Sequence, residues 1–537
     1  MAGMLYVTME PREGLNPDQF HEWYNNEHGP TRQRLPHIFT NGLRYRATDG
    51  QKPHFLANYD VTDMAHLLTP TYTDLRANRT PREAATIGQV DVDRKFFDLV
   101  AAQQGPSFKP IESLTDAEAE GQVLVSVEVS LKPGVEGAEE HVTRWYVEEH
   151  LPMLSKIPGW LRSRVFRTPS VVEGGKDVKI VTLHEYAREN GLEGPEHKAS
   201  MNTPWRTEVF DKYIASKGRR TYELFYIFGP GPRDLDSLSR LPESGAFATA
   251  DKTISTSPGA TTAVINAFVN TPDGLTIPYR LEGNPSPTAP VVAFSNSLLT
   301  SLHMWDDFVG ILKAARPDLR ILRYDTRGRH SIPQPPVPAT LDMLADDLAT
   351  LLAGLRITKL HALIGVSMGG ATSLKFALKY PELLDRFIAC DFNVASSDAN
   401  TQAWKDRIAI AEGPDGGISK LAAITVERWF HPHTMKQKPE IADAMIKMVA
   451  ANSVEGFKYS CQALWRNDMR EEMKTCRAKA LLVVGDGDGN GALVRAMEGF
   501  RANVGEKGAE LKIVPTCGHL PMTESPGEFW EAVEAFL

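Results

Sequence analysis

Hydrophobic and polar residues alternate near the start of the chain, and the same series of segments returns further on. The runs Met4–Met9 and Val123–Val129 alternate in this way, which is typical of half-buried strands. Each run precedes a helical segment, two more strands, a second helix and a last strand. The later strands are predicted at 42–47, 55–61 and 95–100, and in the second series at 160–167, 179–186 and 221–228. The first half of the chain is therefore predicted to hold two copies of one α+β unit.

A helix motif gives the clearest sign of this duplication. Phe20–Pro30 and Val142–Pro152 share the pattern W-Y-x-x-E-H-x-P, and the second copy begins 122 residues after the first. We interpret this match as an internal repeat of about 100 residues. The element order β-α-β-β-α-β is the ferredoxin-like arrangement, whose sheet leaves one face open. We therefore predict repeat 1 over 1–110 and repeat 2 over 120–230, with the two open faces packed together in a pseudo-dimeric barrel.

Through this motif, the repeats resemble the EthD-like group of dimeric α+β-barrel proteins. In this group the two sheets usually come from two chains, so the resemblance implies that one chain here supplies both. His28 and His150 occupy matching positions in the two motifs. Either could be a general acid or base inside the barrel, or a structural residue that caps carbonyl groups at the end of its helix. Neither has a second ligand at a helical spacing, so no metal site is expected there.

A segment rich in Ser, Gly, Pro and Thr follows at 231–258 and predicts a linker. From 259 to 537 short apolar runs alternate with helical segments, and these runs are Val291–Phe294, Arg320–Tyr324, Leu360–Ile364, Ala480–Val484 and Leu511–Val514. Short apolar strands between helices predict a parallel sheet with helices on both faces. The chain is thus predicted to be multidomain, with an α/β domain at 259–537.

The central motif of the second half is Gly365–Gly369, which has the form G-x-S-x-G. It lies between an apolar run and the helical segment Ala371–Lys379, as a strand-turn-helix nucleophile elbow requires. The alternative is an ordinary glycine-rich turn. We favour the elbow and predict Ser367 as the nucleophile of an α/β-hydrolase domain.

A serine nucleophile needs a base, and the base needs a carboxylate to orient it. His519 is the candidate base, because it lies between the last apolar run and the final helix; the alternative is a histidine on a surface loop. Asp486 and Asp488 follow the preceding run and compete for the third position. We favour Asp488, which completes the G-x-x-D spacing from Gly485 that hydrolases of this kind commonly have. The order Ser, Asp, His along the chain is that of α/β-hydrolases.

Two backbone N–H groups should form an oxyanion hole. One belongs to Met368, directly after the nucleophile, and the other to Leu298 in the loop after the first apolar run. Residues 486–491 superficially resemble the start of a calcium loop, but Met497 stands at its twelfth position, where that loop needs glutamate. A G-x-G-x-x-A match in the same place comes too late in the sheet for a dinucleotide site. We therefore expect neither a metal nor a cofactor.

Several segments together resemble the 3-oxoadipate enol-lactonases. They are Ser295–Asp306, Arg428–Phe430, Glu455–Leu464 and Asp468–Arg470. The similarity includes a helical cap at about 393–475. The resemblance implies triad roles for Ser367, Asp488 and His519, and oxyanion roles for Leu298 and Met368. Leu299 stands where the family usually has glycine, so the pocket and the substrate are expected to differ.

Charge and cysteine content limit the partners and the cellular compartment that we expect for this protein. Asp plus Glu number 68 against 59 Lys plus Arg, a formal net charge of −9, which argues against a nucleic-acid partner. The four cysteines show no close pairing and indicate a reducing compartment. The first residues have neither a basic segment nor a long apolar run, and no 18 apolar residues run together, so we expect neither a signal peptide nor a membrane span. These features predict a cytoplasmic protein that acts on a small molecule without a membrane partner and could form a homo-oligomer.

The predicted activity is hydrolysis of a lactone or other activated ester without a cofactor, in aromatic-compound breakdown or secondary metabolism. An alternative is hydrolysis of a carbon–carbon bond in a ring-cleavage product, which the fold also supports. The first half could be an isomerase, decarboxylase or cyclase that feeds the hydrolase, or a non-catalytic assembly module. The sequence leaves these alternatives open.

Overall fold

The structure, a computed structural model, describes residues 1–169, 178–242, 247–248, 255–258, 263–414 and 417–537. It divides into two units, Met1–Pro230 and Gly231–Leu537. The predicted linker and the first residues of the predicted α/β domain lie partly outside the described residues.

The first unit is a closed barrel of antiparallel strands. Their order around the barrel is β1-β3-β2-β8-β5-β7-β6-β4, so each repeat contributes four neighbouring strands in the same internal order. The pairs β2–β8 and β4–β6 join the repeats. The strands are β1 (Gly3–Pro11), β2 (Leu43–Ala47), β3 (Phe55–Val61), β4 (Val90–Gln104), β5 (Val123–Leu131), β6 (Trp160–Arg167), β7 (Lys179–Tyr186) and β8 (Ile214–Ile227).

Helices pack against each half of this barrel. They are α1 (Pro17–Trp23), α2 (Gly29–Gln33), α3 (Pro70–Ala77), α4 (Pro81–Ile87), α5 (Asp116–Ala119), α6 (Ala138–Trp145), α7 (Leu151–Leu154), α8 (Pro195–Ser200) and α9 (Pro204–Tyr213). Two π-helical segments, Tyr24–His28 and Tyr146–His150, connect α1 to α2 and α6 to α7. Short 3-10 turns lie at Met64–Leu68 and Ile111–Ser113.

Strand β1 shows why these segments form a two-layered core. Leu5 and Val7 pack with the helices of repeat 1, whereas Met4 and Tyr6 point into the barrel among residues of both repeats. Successive side chains of a strand point to opposite faces, so one alternating run supplies both layers.

The glutamate of the repeated motif anchors the second helix of its own repeat. The Thr80 hydroxyl, at the start of α4, donates to Glu27 at 2.5 Å. The Thr203 hydroxyl, at the start of α9, donates to Glu149 at 2.7 Å. Because each threonine also caps its helix through its oxygen, the motif has the same structural function in both repeats.

The second unit has a ten-stranded sheet in the order β18-β17-β16-β15-β13-β14-β12-β11-β10-β9. From β14 to β18 neighbouring strands are parallel, as the sequence predicted. The other pairs, from β14 to β9, are antiparallel. The strands are β9 (Phe247–Ala248), β10 (Ser255–Ser257), β11 (Val264–Asn270), β12 (Thr276–Gly283), β13 (Val291–Ser295), β14 (Arg320–Tyr324), β15 (Ala362–Val366), β16 (Arg386–Cys390), β17 (Lys479–Gly485) and β18 (Glu510–Val514).

Helices pack on this sheet, and five of them, α14 to α18, form the cap between β16 and β17. The helices of this unit are α10 (Leu235–Ser239), α11 (Asp306–Ala315), α12 (Leu341–Gly354), α13 (Met368–Lys379), α14 (Asp398–Glu412), α15 (Gly417–Trp429), α16 (Pro432–Gln437), α17 (Pro439–Ala450), α18 (Val454–Ser460), α19 (Ala492–Phe500), α20 (Pro521–Glu524) and α21 (Pro526–Val533). The 3-10 turns are Leu302–Trp305, Pro381–Leu383, Cys461–Leu464, Glu472–Thr475, Arg501–Asn503 and Glu534–Phe536.

The described part of the predicted linker contains regular structure. Leu235 and Leu238 of α10 are fully buried in the core of the second unit, and β9 and β10 extend its sheet. The two leucines explain the difference from the linker prediction, because a solvated linker would not bury them. Within the described ranges, no helix is both long and apolar enough to cross a bilayer.

Candidate active site

The G-x-S-x-G motif forms a sharp turn between β15 and α13. Ser367 has φ 59° and ψ −118°, a conformation that is unfavourable for a residue with a side chain. A Cβ atom on Gly365 would lie 2.1 Å from the carbonyl oxygen of Gly369, and one on Gly369 would lie 2.1 Å from that of Ser295. Only glycine fits at both positions, which explains the spacing of the motif.

His519 and Asp488 meet beside this turn. His519 Nδ1 lies 2.7 Å from Asp488 Oδ2, and the two side chains are only 14% and 13% exposed. The His519 ring stacks on Trp429, with ring centroids 5.7 Å apart. Asp486, the competing carboxylate, is exposed and accepts a bond from the backbone N–H of Cys517 at 3.3 Å. The structure thus places Asp488, and not Asp486, against the imidazole.

One pocket of about 520 Å³ brings the predicted residues together. Ser367, Asp488, His519, Leu298 and Met368 all line it. Neither the Leu298 nor the Met368 backbone N–H donates to an acceptor in the described part of the chain. Two unused N–H groups beside a serine are the donors that an oxyanion hole needs.

Leu299, the departure from the enol-lactonase pattern, has φ 68°. This left-handed conformation favours glycine and costs a leucine about 1–2 kcal/mol. The Leu299 carbonyl oxygen accepts bonds from Arg329 at 3.1 Å and Asn452 at 2.8 Å, which hold the loop in place. The pocket wall, as far as the structure describes it, does not include Leu299; its side chain is buried in the core.

Comparison with known proteins agrees with this geometry. Residues 290–526 match the family model described as "alpha/beta hydrolase fold". The 3-oxoadipate enol-lactonase 1 of Acinetobacter baylyi is 31% identical over 218 residues, which cover 40% of this chain and 77% of that protein. The chain belongs to the α/β-hydrolase family. The sequence-based prediction of an α/β-hydrolase enzyme is therefore confirmed.

Two further relatives of this hydrolase cover the same half of the chain. The 3-oxoadipate enol-lactonase 2 of Acinetobacter baylyi is 29% identical over 248 residues, 46% of this chain and 88% of that protein. The crystal structure of the enol-lactonase from Burkholderia xenovorans is 27% identical and covers 49% of this chain and 96% of that one, with a TM-score of 0.44.

Asp391 is a second carboxylate of the hydrolase site that sequence reasoning missed. It follows β16, is buried, and accepts a bond from the backbone N–H of Gly485 at 3.0 Å. Burial, followed by the charge of neighbouring Asp488, holds the pKa of Asp391 well above its usual range. Asp391, Asp488 and His519 each bring an atom within 4.8 Å of the others. Such a donor set could bind a divalent cation, but the direct bond between His519 and Asp488 already explains their proximity.

Glu524 fixes the loop that carries His519. Its buried carboxylate accepts bonds from the backbone N–H of Gly518 and of His431, both at 2.8 Å, and from the Thr434 hydroxyl at 2.7 Å. Burial raises the pKa of Glu524 above its usual range. This carboxylate joins the His519 loop to the start of α16 in the cap.

His28 and His150 lie in the first unit, each packed on the tryptophan of its own motif, with ring centroids 5.0 and 4.6 Å apart. Burial is the main cause that lowers the pKa of each imidazole to about 3. His28 Nδ1 lies 2.5 Å from Glu83. His150 Nδ1 has no partner among the described residues.

We expect Asp391→Asn to raise the thermal stability of the hydrolase unit at neutral pH and to keep activity within a few-fold. The amide can still accept from Gly485. In the wild type, the raised pKa of Asp391 means that stability is complete below the pKa of the unfolded chain, about 3.9, and is lost as the pH rises through the folded pKa. The asparagine has no proton to lose, so its advantage in Tm, measured between pH 4 and 8, should grow as the pH rises above about 4.

Differential scanning calorimetry of both proteins across this pH range measures the effect. The ceiling is about 1.4 kcal/mol per pH unit. A Tm difference that stays constant with pH would contradict the assignment of a neutral Asp391.

Proposed function

We propose that the second unit is a cofactor-independent serine hydrolase that cleaves a lactone or activated ester through an acyl-enzyme at Ser367. The observation that carries this proposal is the 2.7 Å contact between His519 and Asp488, in a pocket that also contains Ser367 on its strained turn. A carboxylate on Nδ1 leaves Nε2 of the imidazole as the basic nitrogen.

The proposed reaction has two halves. Ser367 Oγ attacks the carbonyl carbon while His519 Nε2 takes its proton, and the N–H groups of Leu298 and Met368 donate to the developing oxyanion. The carbon–oxygen bond of the lactone or ester then breaks, and His519 returns the proton to the leaving oxygen. Water attacks the acyl-enzyme next; His519 takes a proton from water and gives it to Ser367 Oγ, which releases the acid.

Arg407 and Arg428 suggest that the substrate carries a carboxylate. Both cations line the pocket from the cap. The only acids in the described lining are Asp391 and Asp488, and Asp488 is already paired with His519. The relatives named enol-lactonases support a lactone as the scissile group, and the arginines support an acidic lactone in particular.

Arg428→Ala and Arg407→Ala should each raise KM for a carboxylate-bearing lactone by about tenfold or more, because a hydrogen bond to a charged group contributes about 1.5–3 kcal/mol. The KM for the neutral methyl ester of the same lactone should stay nearly constant. Lys405→Ala is the matched control, since Lys405 lies on α14 with Arg407, is exposed, and is not part of the described lining. Equal effects on charged and neutral substrates would argue against charge recognition.

A panel of lactones, aryl esters and carbon–carbon ring-cleavage products, followed by mass spectrometry, tests the reaction class. We expect turnover of lactones and esters. Turnover of the carbon–carbon substrates alone would contradict the proposal.

We also infer that the first unit is a tandem pair of EthD-like, ferredoxin-like repeats that form a single-chain pseudo-dimer. The repeated W-Y-x-x-E-H-x-P motif and the identical strand order of the two repeats support this inference.

A further inference from the structure

Repeat 2 contains a cavity of about 280 Å³ between its sheet and its helices. Trp145, Tyr146, Tyr186 and Phe210 contribute much of its wall, so the interior is largely apolar and aromatic. This volume lies just below the usual range for ligand pockets, about 300–1,000 Å³. It would accommodate a ligand of one ring or a short acyl chain.

The polar residues of the cavity are all basic or neutral. Arg206, Lys217, Arg219 and three histidines line it, and the described lining contains no carboxylate. Among the described residues these three cations have no carboxylate partner; Arg206 and Lys217 instead lie over the Phe210 ring, 4.2 and 5.6 Å from its centroid. Partial burial, and then repulsion from Arg206 and Arg219, lowers the pKa of Lys217 below its usual range. An anion inside the cavity would relieve this repulsion.

A buried histidine nitrogen in this cavity lacks a partner. His150 is only 6% exposed. The backbone of Ser200 interacts with its ring, but its Nδ1 is not hydrogen-bonded to any residue that the structure describes. His184 lies beside it, with ring centroids 6.2 Å apart, and its own Nδ1 contacts the Ser163 hydroxyl at 2.8 Å. Buried polar atoms almost always have a hydrogen-bond partner, so an orphan nitrogen in a cavity wall points to a ligand.

Repeat 1 shows which kind of group would be a partner for Nδ1 of His150. There the equivalent nitrogen, Nδ1 of His28, has a carboxylate partner in Glu83. Glu83 is the third residue after the capping Thr80, and its backbone N–H donates to that threonine at 3.0 Å. In repeat 2 the third residue after Thr203 is Arg206, with the same capping bond at 3.1 Å. An internal carboxylate has thus been replaced by a cation at the same helix position.

The sheet residues that face the helices are also more basic in repeat 2 than in repeat 1. Leu5 of β1 pairs with Tyr59, whereas Val125 of β5, which also faces the helices, pairs with His184. The next helix-facing residues, Val7 of β1 and Val127 of β5, pair with Arg94 and Arg219, so both repeats have an arginine at this place. The helix-facing residue after that is Met9 in β1, which pairs with Val92. Its counterpart Val129 in β5 pairs with Lys217. Repeat 2 therefore has the apolar walls of a packed core together with an excess of positive charge.

We propose that the cavity of repeat 2 binds a small organic carboxylate, whose anionic group takes the place that Glu83 occupies in repeat 1. The carboxylate contacts His150 and Arg206, with Lys217 and Arg219 as further cations. The hydrocarbon or aromatic body packs on the tryptophan and tyrosine walls. Repeat 1 has its own carboxylate at this place and does not bind the ligand in the same way.

Isothermal titration calorimetry of the full chain with benzoate, cyclohexanecarboxylate and hexanoate, each compared with its neutral amide, tests the proposal. We expect at least one carboxylate to bind at least tenfold more tightly than its amide. Arg206→Glu, which recreates the charge of repeat 1, and His150→Phe, which keeps a ring but removes the nitrogen, should each weaken this binding at least tenfold. Lys156→Glu is the control, because Lys156 is exposed and lies outside the described lining.

The hydrolase pocket also has arginines, so the titrations are repeated with Arg407→Ala. Binding that persists there and is lost in Arg206→Glu belongs to the cavity of repeat 2. Arg206→Gln provides a milder change if the glutamate variant does not fold, as judged by circular dichroism. Three results would overturn the proposal: no preference for any carboxylate over its amide, unchanged binding in folded Arg206 variants, or equally tight binding of inorganic phosphate.

Discussion

Ser367→Ala should lower ester and lactone turnover by about 10⁴-fold or more while leaving the fold intact, because it removes the attacking oxygen and nothing else. Alanine also fits the left-handed turn as well as serine does. The measurement is kcat/KM on an activated aryl ester and on an enol-lactone, with circular dichroism to verify folding. Ser373→Ala is a suitable control, since this buried serine lies on the same helix but bonds the Gly369 carbonyl and lies outside the described pocket wall. Wild-type turnover by Ser367→Ala would remove the serine mechanism.

Asp488→Asn should lower kcat by about 10³–10⁴-fold, whereas Asp486→Asn should change it by less than about threefold. Of these two carboxylates, Asp488 is the one that contacts His519, and an amide in its place would favour the wrong tautomer of the imidazole. The two variants form a matched pair because they make the same chemical change two residues apart. A larger loss from Asp486→Asn would reverse the assignment.

Asp391 should limit the loss of activity in Asp488→Asn. Without the charge of Asp488, one of the causes that raise the Asp391 pKa disappears, and Asp391 could ionise and partly replace the missing carboxylate. The double variant Asp391→Asn with Asp488→Asn should therefore be less active than Asp488→Asn alone. Equal activity of the single and double variants would show that Asp391 gives no such rescue.

The nucleophile turn could be predicted because its chemistry is local. The close approaches at Gly365 and Gly369 depend on a few neighbouring residues, so the spacing alone indicates the geometry. The strands from β13 to β18 that the sequence predicted are likewise short, apolar and bounded by polar turns. The internal repeat was evident because Trp23 and Trp145 occupy the same place in their motifs.

Asp391 could not be predicted because its function depends on two strand ends that are distant in sequence. The residue follows β16. Its partner Gly485 ends β17, the neighbour of β16 in the sheet, and Asp488 follows β17. A single aspartate after an apolar run is a common feature, and only the pairing of these strands shows that it meets Asp488. To predict this contact, one would have to know which strands are neighbours in the sheet, and the sequence alone does not give that order.

The cavity of repeat 2 was hidden for a similar reason. The sequence placed His28 and His150 in equivalent positions and left the same two alternatives, a general acid or base and a structural residue, open for both. The difference comes from residues more than 50 positions away, Glu83 and Arg206, which meet the histidines only when the second helix packs on the first. Comparison of the two repeats position by position, with charge included, would have provided a signal.

Rapid-quench mass spectrometry with an activated aryl ester tests the central claim most directly. Proteolysis of the quenched enzyme followed by sequencing of the modified peptide locates the acyl group. We expect a transient mass increase of one acyl group on Ser367, absent from Ser367→Ala. An acyl group on any other residue, or steady turnover by Ser367→Ala without any acylated peptide, would contradict it.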